Sequence, residues 1–203
     1  MTLALKRMFD LLVAVIVLFL FSPLIIAISL AIKLDDGGPV FFPQERVGRN
    51  RRKFRCYKFR TMTARAAPMD QDLRVTATDP RITRVGRSLR LWTLDEIPQL
   101  FNVIKGEMSI IGPRPWVPEQ AAYCSTAETR RFAVRPGMAG WAWIHGRNRL
   151  AFDERVRLDL WYVDHWSLKL DLEILLRAFV LLFRREGVYF DEAVGSDPRA
   201  QEN

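Results

Sequence analysis

Two adjacent carboxylates, Asp95-Glu96, follow three arginines at a spacing of three, Arg84, Arg87 and Arg90, and precede a fourth, Arg114. A carboxylate set among guanidinium groups stays ionised, and it can act as a nucleophile or hold Mg²⁺. Thr93 and Glu96 have capping-box spacing, which predicts a helix beginning at the dyad and running to about Ile104, before Gly106. Pro98 is tolerated near such a start, where backbone donors are unpaired in any case. A helix N-terminus favours anions, and arginine forks match phosphate oxygens, so the combined pattern points to phosphate chemistry. Acidic residues in a first helical turn also simply complement the helix dipole. The dyad alone therefore leaves catalysis and plain capping both open.

Three further stretches could serve such a site. Gly112-Pro113-Arg114-Pro115 is a backbone of little freedom with one guanidinium, suited to a fixed phosphate contact or to an ordinary proline-rich loop. The glycine-rich loop from Arg135-Pro136-Gly137 to Asn148 offers indole surface at Trp141 and Trp143 for a flat ring, and Arg147 for charge. Its tryptophans would equally fill a core or sit at a membrane interface. The basic run from Arg46 to Arg60 reads most simply as a face for anionic lipid, with Lys58 or Arg60 pointing into the site as the alternative.

These groups must be held at a particular place, and the N-terminal stretch says where. From Leu11 to Ile32 there is no charged side chain, a run long enough for the roughly 20 residues that cross a bilayer. Ser22-Pro23 interrupts it. Proline removes a backbone donor and clashes with the carbonyl four residues back, which predicts a kink, and the Ser22 hydroxyl is placed to satisfy a freed backbone group. Lys6 and Arg7 precede the run; Lys33 and a dense basic segment follow it. Basic flanks stay in the cytoplasm, and a straight span cannot keep both there. A re-entrant helix that turns at Ser22-Pro23 can, with a Pro-kinked single span as the alternative.

The remainder is one modest domain: 1–34 is read as the re-entrant membrane helix, 35–190 as a cytoplasmic domain, and 191–203 as a polar tail. The chain has 203 residues, a net charge of +8 and a pI of about 10.0, which suits anionic head groups, phosphorylated substrates or nucleic acid. No cleavable leader is expected. Cys56 and Cys124 lack metal spacing and a disulfide framework, and His145 and His165 are too few for a His-rich metal site. The expected class is α+β and mainly helical. Val40 to Phe42 and Phe54 to Phe59 predict a small β-hairpin around a basic turn. Thr63 to Pro80 reads as loop, Pro118 to Arg131 and Phe152 to Trp166 as helices. Leu168 to Phe183 is too short and too charged to span; it reads as an interfacial amphipathic helix, with a core helix as the alternative.

Taken together, these motifs resemble the catalytic domain of the bacterial sugar transferase family, the small monotopic polyprenol-phosphate phosphoglycosyl transferases. The resemblance runs from Lys6-Arg7-Met8-Phe9-Asp10 to about Tyr189. It includes Ser22-Pro23, Pro39-Val40-Phe41-Phe42, Tyr57-Lys58-Phe59-Arg60-Thr61-Met62, and Asp79-Pro80-Arg81-Ile82-Thr83-Arg84-Val85-Gly86. It continues through Leu94-Asp95-Glu96, Gln99-Leu100-Phe101-Asn102-Val103, Gly106-Glu107-Met108-Ser109, Gly112-Pro113-Arg114-Pro115, Arg135-Pro136-Gly137 and Gly146-Arg147-Asn148.

The resemblance implies a membrane hairpin broken at Ser22-Pro23 on the cytoplasmic face of the bacterial inner membrane. It implies transfer of a phosphosugar from a UDP-sugar to a polyprenol phosphate, with Mg²⁺, with phospholipid around it and with no nucleic acid partner. Asp95 takes the role of nucleophile, forming an aspartyl phosphosugar as UMP leaves. Glu96 supports the metal, which Asp95 and Glu96 would hold, or a proton transfer. Lys58, Arg90, Arg114 and Arg147 match the phosphate contacts. The family commonly has Thr where this chain has Ala139, and Gln, Val and Asn where it has Trp143, Ile144 and His145, which bears on donor identity. Without the extra N-terminal membrane helices of larger relatives, the chain is expected to be the minimal form. Two other readings stay open: a membrane-anchored module that holds anionic lipid or nucleic acid, and a phosphohydrolase in which water replaces the lipid acceptor.

Overall fold

The computed structural model describes residues 2–63, 76 and 78–184. The segment 64–75, within the expected loop, and the expected tail 191–203 lie outside the described residues. The chain opens with two helices, α1 (Thr2–Leu20) and α2 (Ser22–Asp36), which meet at a 62° bend. Pro23 has no N–H for the Phe19 carbonyl, and the Ser22 hydroxyl donates to that same carbonyl at 2.8 Å. The break is therefore hydrogen-bonded from within, as the Ser-Pro pair suggests. No single described helix is long and apolar enough to cross a membrane; the bent pair passes that test together. Gly37 ends α2 in the left-handed conformation, with φ 71° and its N–H on the Lys33 carbonyl.

The first helix is more than an apolar anchor. Asp10 and Ala14 are buried against the domain, and α1 packs on α4 (Gln99–Lys105) and on β3 (Ser109–Ile111). Asp10 accepts hydrogen bonds from the Ser109 hydroxyl and the Ile110 backbone N–H, 3.0 Å for the latter. Ile28 and Ile32 of α2 pack with Phe59 and Leu89. The opposite faces expose Leu12, Val15, Ile16, Phe19, Leu20, Ile26 and Leu30. One face of each helix thus belongs to the core of the domain, and the other is apolar and uncovered.

A β-hairpin follows, longer than expected: β1 (Phe41–Val47) pairs antiparallel with β2 (Lys53–Phe59), Phe41 opposite Phe59. The basic turn holds Asn50 and Arg51 at positive φ. Arg60 does not point into the candidate site. It pairs with Asp36 and donates to the Met62 carbonyl at 2.9 Å, tying the end of α2 to the end of β2.

A second sheet was not legible beforehand. β3 pairs in parallel with β4 (Gly137–Ala139), joining two segments that read as loops. Their glycines explain the pairing: a Cβ on Gly137 would collide with the Gly112 backbone nitrogen, and one on Gly112 would lie 2.6 Å from the Arg135 carbonyl oxygen. Gly137→Ala is expected to destabilise the fold by at least ~1–3 kcal/mol, the usual penalty for overpacking; a chemical denaturation midpoint equal to wild type would contradict this close approach.

The remaining helices are α3 (Arg84–Leu91), α5 (Pro118–Ala122), α6 (Trp141–Ile144), α7 (Phe152–His165) and α8 (Leu168–Arg184). The single helix expected from Pro118 to Arg131 is instead α5 followed by a 3₁₀ turn, Glu128–Ala133. In α8, Leu170, Asp171, Ile174 and Ala178 face the core. Leu172, Leu176, Phe179, Val180 and Phe183 form an exposed apolar stripe on the other side. A buried core helix would cover both faces, and α8 covers one.

Candidate active site

The dyad lies on a 3₁₀ turn, Leu94–Glu96, between α3 and α4, not in the first turn of a capped α-helix. Thr93 is left-handed, with φ 57°, and its side chain makes no cap; the capping threonine is Thr83, which accepts from the Gly86 N–H at 2.9 Å and opens α3. The Thr93 hydroxyl instead accepts from the Arg147 guanidinium at 2.9 Å. This contact draws the far glycine-rich segment up to the dyad.

Glu96 is buried, and one of its oxygens accepts from Lys58 Nζ at 2.7 Å and from Arg114 at 3.1 Å. Burial pushes its carboxyl up, but the Lys58 and Arg114 charges and hydrogen bonds outweigh burial and hold it well below the usual carboxylate range. Asp95 is half-buried and makes no hydrogen bond or ion pair among the described residues. Burial, together with the neighbouring negative charge of Glu96, pushes Asp95 up, against the pull of Lys58, Arg90 and Arg114. The two carboxylates are thus differentiated: Glu96 is an ionised strut, and Asp95 is the unengaged group.

Each cation is held by a different element. Lys58 stands on β2. Its strand is stitched to α4 by Asn102, fully buried, which accepts from the Tyr57 N–H at 3.0 Å and donates to the Arg55 carbonyl at 2.7 Å. Arg90, on α3, donates to the Thr61 hydroxyl at 2.8 Å; Arg84 and Arg87 are exposed on the same helix. Arg114 follows β3, and its carbonyl accepts from buried Arg131 at 2.9 Å. Arg131 in turn pairs with buried Asp159 and stacks on Trp116, 3.7 Å from the ring centre. Arg147 lies over the Trp143 ring at 4.2 Å, and burial with the nearby Arg114 charge lowers its pKa to about 10, against the pull of Glu96 and Asp95.

The structure therefore brings together Asp95, Glu96, Lys58, Arg90, Arg114 and Arg147, whereas Arg60 is tied to Asp36 and Arg84 and Arg87 are exposed. Ser22 and Pro23 stand apart, at the helix break. The sequence reading missed Arg46, which donates to the Pro115 carbonyl at 3.0 Å. The period-two alternation of β1 and β2 was the available signal: Arg46 is opposite Phe54, on the face that also bears Cys56 and Lys58. Asn102, Thr93 and Arg131 were missed as supports, and polar residues inside apolar helical pattern were the trace of Asn102.

Among the described residues, no group of three or more His, Cys, Asp or Glu side chains is arranged to hold a metal. Carboxylate oxygens are the donor type that Mg²⁺ takes alongside phosphorylated substrates, and the dyad supplies such oxygens. Glu96 keeps one oxygen outside its bonds to Lys58 and Arg114, and the Asp95 carboxylate is unengaged. What the arrangement offers chemically is an available carboxylate nucleophile within a ring of cations, suited to a substrate whose reacting centre is a phosphate.

Known proteins resemble the chain over most of its length. The chain is 40% identical to the uncharacterized sugar transferase EpsL of Bacillus subtilis (strain 168) over 184 residues, 91% of this chain and 90% of that protein. It is 40% identical to the undecaprenyl-phosphate galactose phosphotransferase of Salmonella typhimurium, covering 91% of this chain and 42% of that protein. It is 44% identical to the undecaprenyl-phosphate glucose phosphotransferase of Komagataeibacter xylinus, covering 84% and 34%. The chain thus spans less than half the length of these two phosphotransferases. The profile described as Bacterial sugar transferase matches residues 1–185, and the chain belongs to that family.

Proposed function

We propose that the protein transfers a phosphosugar from a UDP-sugar to a polyprenol phosphate through a covalent intermediate on Asp95. The observation that carries this reading is the unengaged Asp95 carboxylate beside a Glu96 pinned by Lys58 and Arg114. An Asp95 oxygen attacks the sugar-bearing phosphorus, the bond from that phosphorus to UMP breaks, and UMP leaves with the electron pair. A polyprenol phosphate oxygen then attacks the same phosphorus, the bond to Asp95 breaks, and the carboxylate is regenerated with polyprenol diphosphate sugar as product. Lys58, Arg90, Arg114 and Arg147 offset the charge of the two phosphates that must meet at a carboxylate. Asp95 and Glu96 are the residues that would hold Mg²⁺, which when bound screens the diphosphate. The reaction would be the first membrane step of glycan assembly.

A lipid acceptor places the site at head-group depth on the cytoplasmic face of the bacterial inner membrane. The bent α1–α2 pair, the exposed stripe of α8, and exposed Phe41 and Phe42 support a monotopic seat there. Cysteines introduced singly at positions 2 and 49 of a chain lacking Cys56 and Cys124 are both expected to label from the cytoplasmic side. Labelling from opposite sides would establish a span instead of a hairpin.

The activity is tested with the full chain in lipid, Mg²⁺, polyprenol phosphate and a panel of UDP-sugars, reading UMP release and lipid-linked product. Release with one donor, dependent on Asp95, is the expected result. Free sugar phosphate in place of lipid-linked product would make the protein a phosphohydrolase. Trp143 replaces a residue that is commonly glutamine in the family and supports Arg147 from beneath. Trp143→Ala is expected to lower kcat/KM about tenfold, in keeping with the ~0.5–2 kcal/mol of a cation–π contact, and Trp143→Phe to recover most of it. Unchanged kinetics in the alanine variant would remove Arg147 stacking from the account.

A further inference from the structure

Arg46 carries a charge that no carboxylate touches directly among the described residues. It stands on β1 and donates to the Pro115 carbonyl at 3.0 Å and to the Gln44 side-chain oxygen at 2.6 Å. Both partners are neutral, and no carboxylate pairs with Arg46 among the described residues. A guanidinium has five N–H donors, so three remain. Burial, and after it the Arg114 charge, lower its pKa to about 10, against the pull of Glu96 and Glu119.

The neighbours sharpen this. Arg46, Lys58 and Arg114 line one recess with Cys56, Gln99 and Pro115. Glu96 accepts from Lys58 and Arg114, and Arg46 is a third cation at the recess with no carboxylate bonded to it, so these three cations outnumber the two carboxylates of the dyad. Crowding like charges in a partly buried recess is unfavourable unless an anion completes it. Two of the three cations are arginine forks, whose paired N–H donors match phosphate oxygens. Arg46 is also held in place, since its bonds to Pro115 and Gln44 leave the other donors pre-aimed.

We propose that Arg46, together with Lys58 and Arg114, forms a phosphate subsite behind Glu96, which holds a phosphate other than the one that bonds to Asp95. That phosphate belongs either to the departing nucleotide or to the lipid acceptor, and this assignment rests on the transfer reaction proposed above. Recognition of the phosphate does not.

The test is calorimetric titration of inorganic pyrophosphate into the full chain in lipid nanodiscs, for wild type, Arg46→Gln, Arg46→Lys and Arg49→Gln. Arg49 is exposed on the turn of the same hairpin and removes the same charge. Arg46→Gln is expected to weaken binding about tenfold or more with the melting temperature unchanged, Arg46→Lys several-fold, and Arg49→Gln not at all. Wild-type affinity in Arg46→Gln, or equal losses in Arg46→Gln and Arg49→Gln, overturns the subsite. If Arg46→Gln does not fold, Arg46→Lys decides, and wild-type affinity there overturns it.

Titrations of uridine monophosphate and of a short-chain polyprenyl phosphate separate the sources. Loss confined to the nucleotide assigns the subsite to the leaving group, and loss confined to the lipid assigns it to the acceptor. Arg46-dependent pyrophosphate binding without UMP release from any donor would sink the transfer reaction and leave the subsite standing.

Discussion

Asp95→Asn is expected to reduce phosphosugar transfer by ~10³-fold or more while leaving the fold intact, because it removes the proposed nucleophile and hardly changes its size. The structural ground is that Asp95 has no hydrogen bond to lose among the described residues. A change in melting temperature is therefore not expected, and a lipid co-sedimentation assay should report unchanged membrane association. Retention of activity within tenfold of wild type would reject the covalent route. A membrane module that merely holds anionic lipid would be indifferent to this substitution in every assay. The control is Glu96→Gln, which strips a paired charge from Lys58 and Arg114 and should lower both activity and stability.

The same geometry gives the pH dependence a sign. The proposed attack requires an ionised Asp95, and burial with the Glu96 charge pushes its carboxyl above the ordinary range. The acid limb of the single-turnover rate should therefore lie above the ~3.9 of an unperturbed aspartate. The rate rises as pH rises through that limb. Glu96→Gln removes a negative neighbour and frees Lys58 and Arg114 to act on Asp95. Both changes favour the ionised form, so the limb of the residual activity moves to lower pH. Movement to higher pH would show that Glu96 does not act on Asp95 through its charge.

What the sequence disclosed here was local, and what it concealed was long-range. Ser22-Pro23 announced both the bend and its remedy, because proline deletes one named donor and serine is the adjacent residue able to replace it. The dyad and its cations were legible as residue types. The capping box at Thr93 was misread because Thr93 is left-handed and gives its hydroxyl to Arg147, 54 residues away. No local pattern encodes that contact. The parallel pairing of β3 with β4 is similar: each strand is too short for a period to show, and what permits it is the close backbone approach at Gly112 and Gly137. Arg46 lay in a run so basic that charge masked alternation, although its place opposite Phe54 follows once the hairpin register is known.

Asp171 should prove as consequential for the fold as Asp95 for the chemistry. It is 1% exposed on α8, and three groups donate to it: Lys6 at 2.6 Å, the Tyr162 hydroxyl at 2.7 Å and the Trp166 indole at 3.1 Å. Lys6 also donates to the Ile111 carbonyl at 3.1 Å, so one carboxylate joins α1, α7, α8 and β3. Burial and the Asp171 charge push the Tyr162 phenol up, so it remains a donor throughout the working range. Asp171→Ala takes the counter-charge from a largely buried ammonium and an acceptor from the Tyr162 hydroxyl and the Trp166 indole, which is expected to destabilise the protein by ~3–5 kcal/mol. Lys6→Met alone removes the charge but leaves Asp171 its two neutral donors, and should cost less. Combining Lys6→Met with Asp171→Ala removes the ion pair from both sides, so the double variant should be more stable than the two single losses added together. Denaturation of all three variants in one lipid system measures that coupling. Strict additivity would mean that α1 is held to the domain by Arg7, Asp10 and apolar packing, and that the Lys6–Asp171 pair contributes nothing to docking the bent helix pair against the rest of the domain.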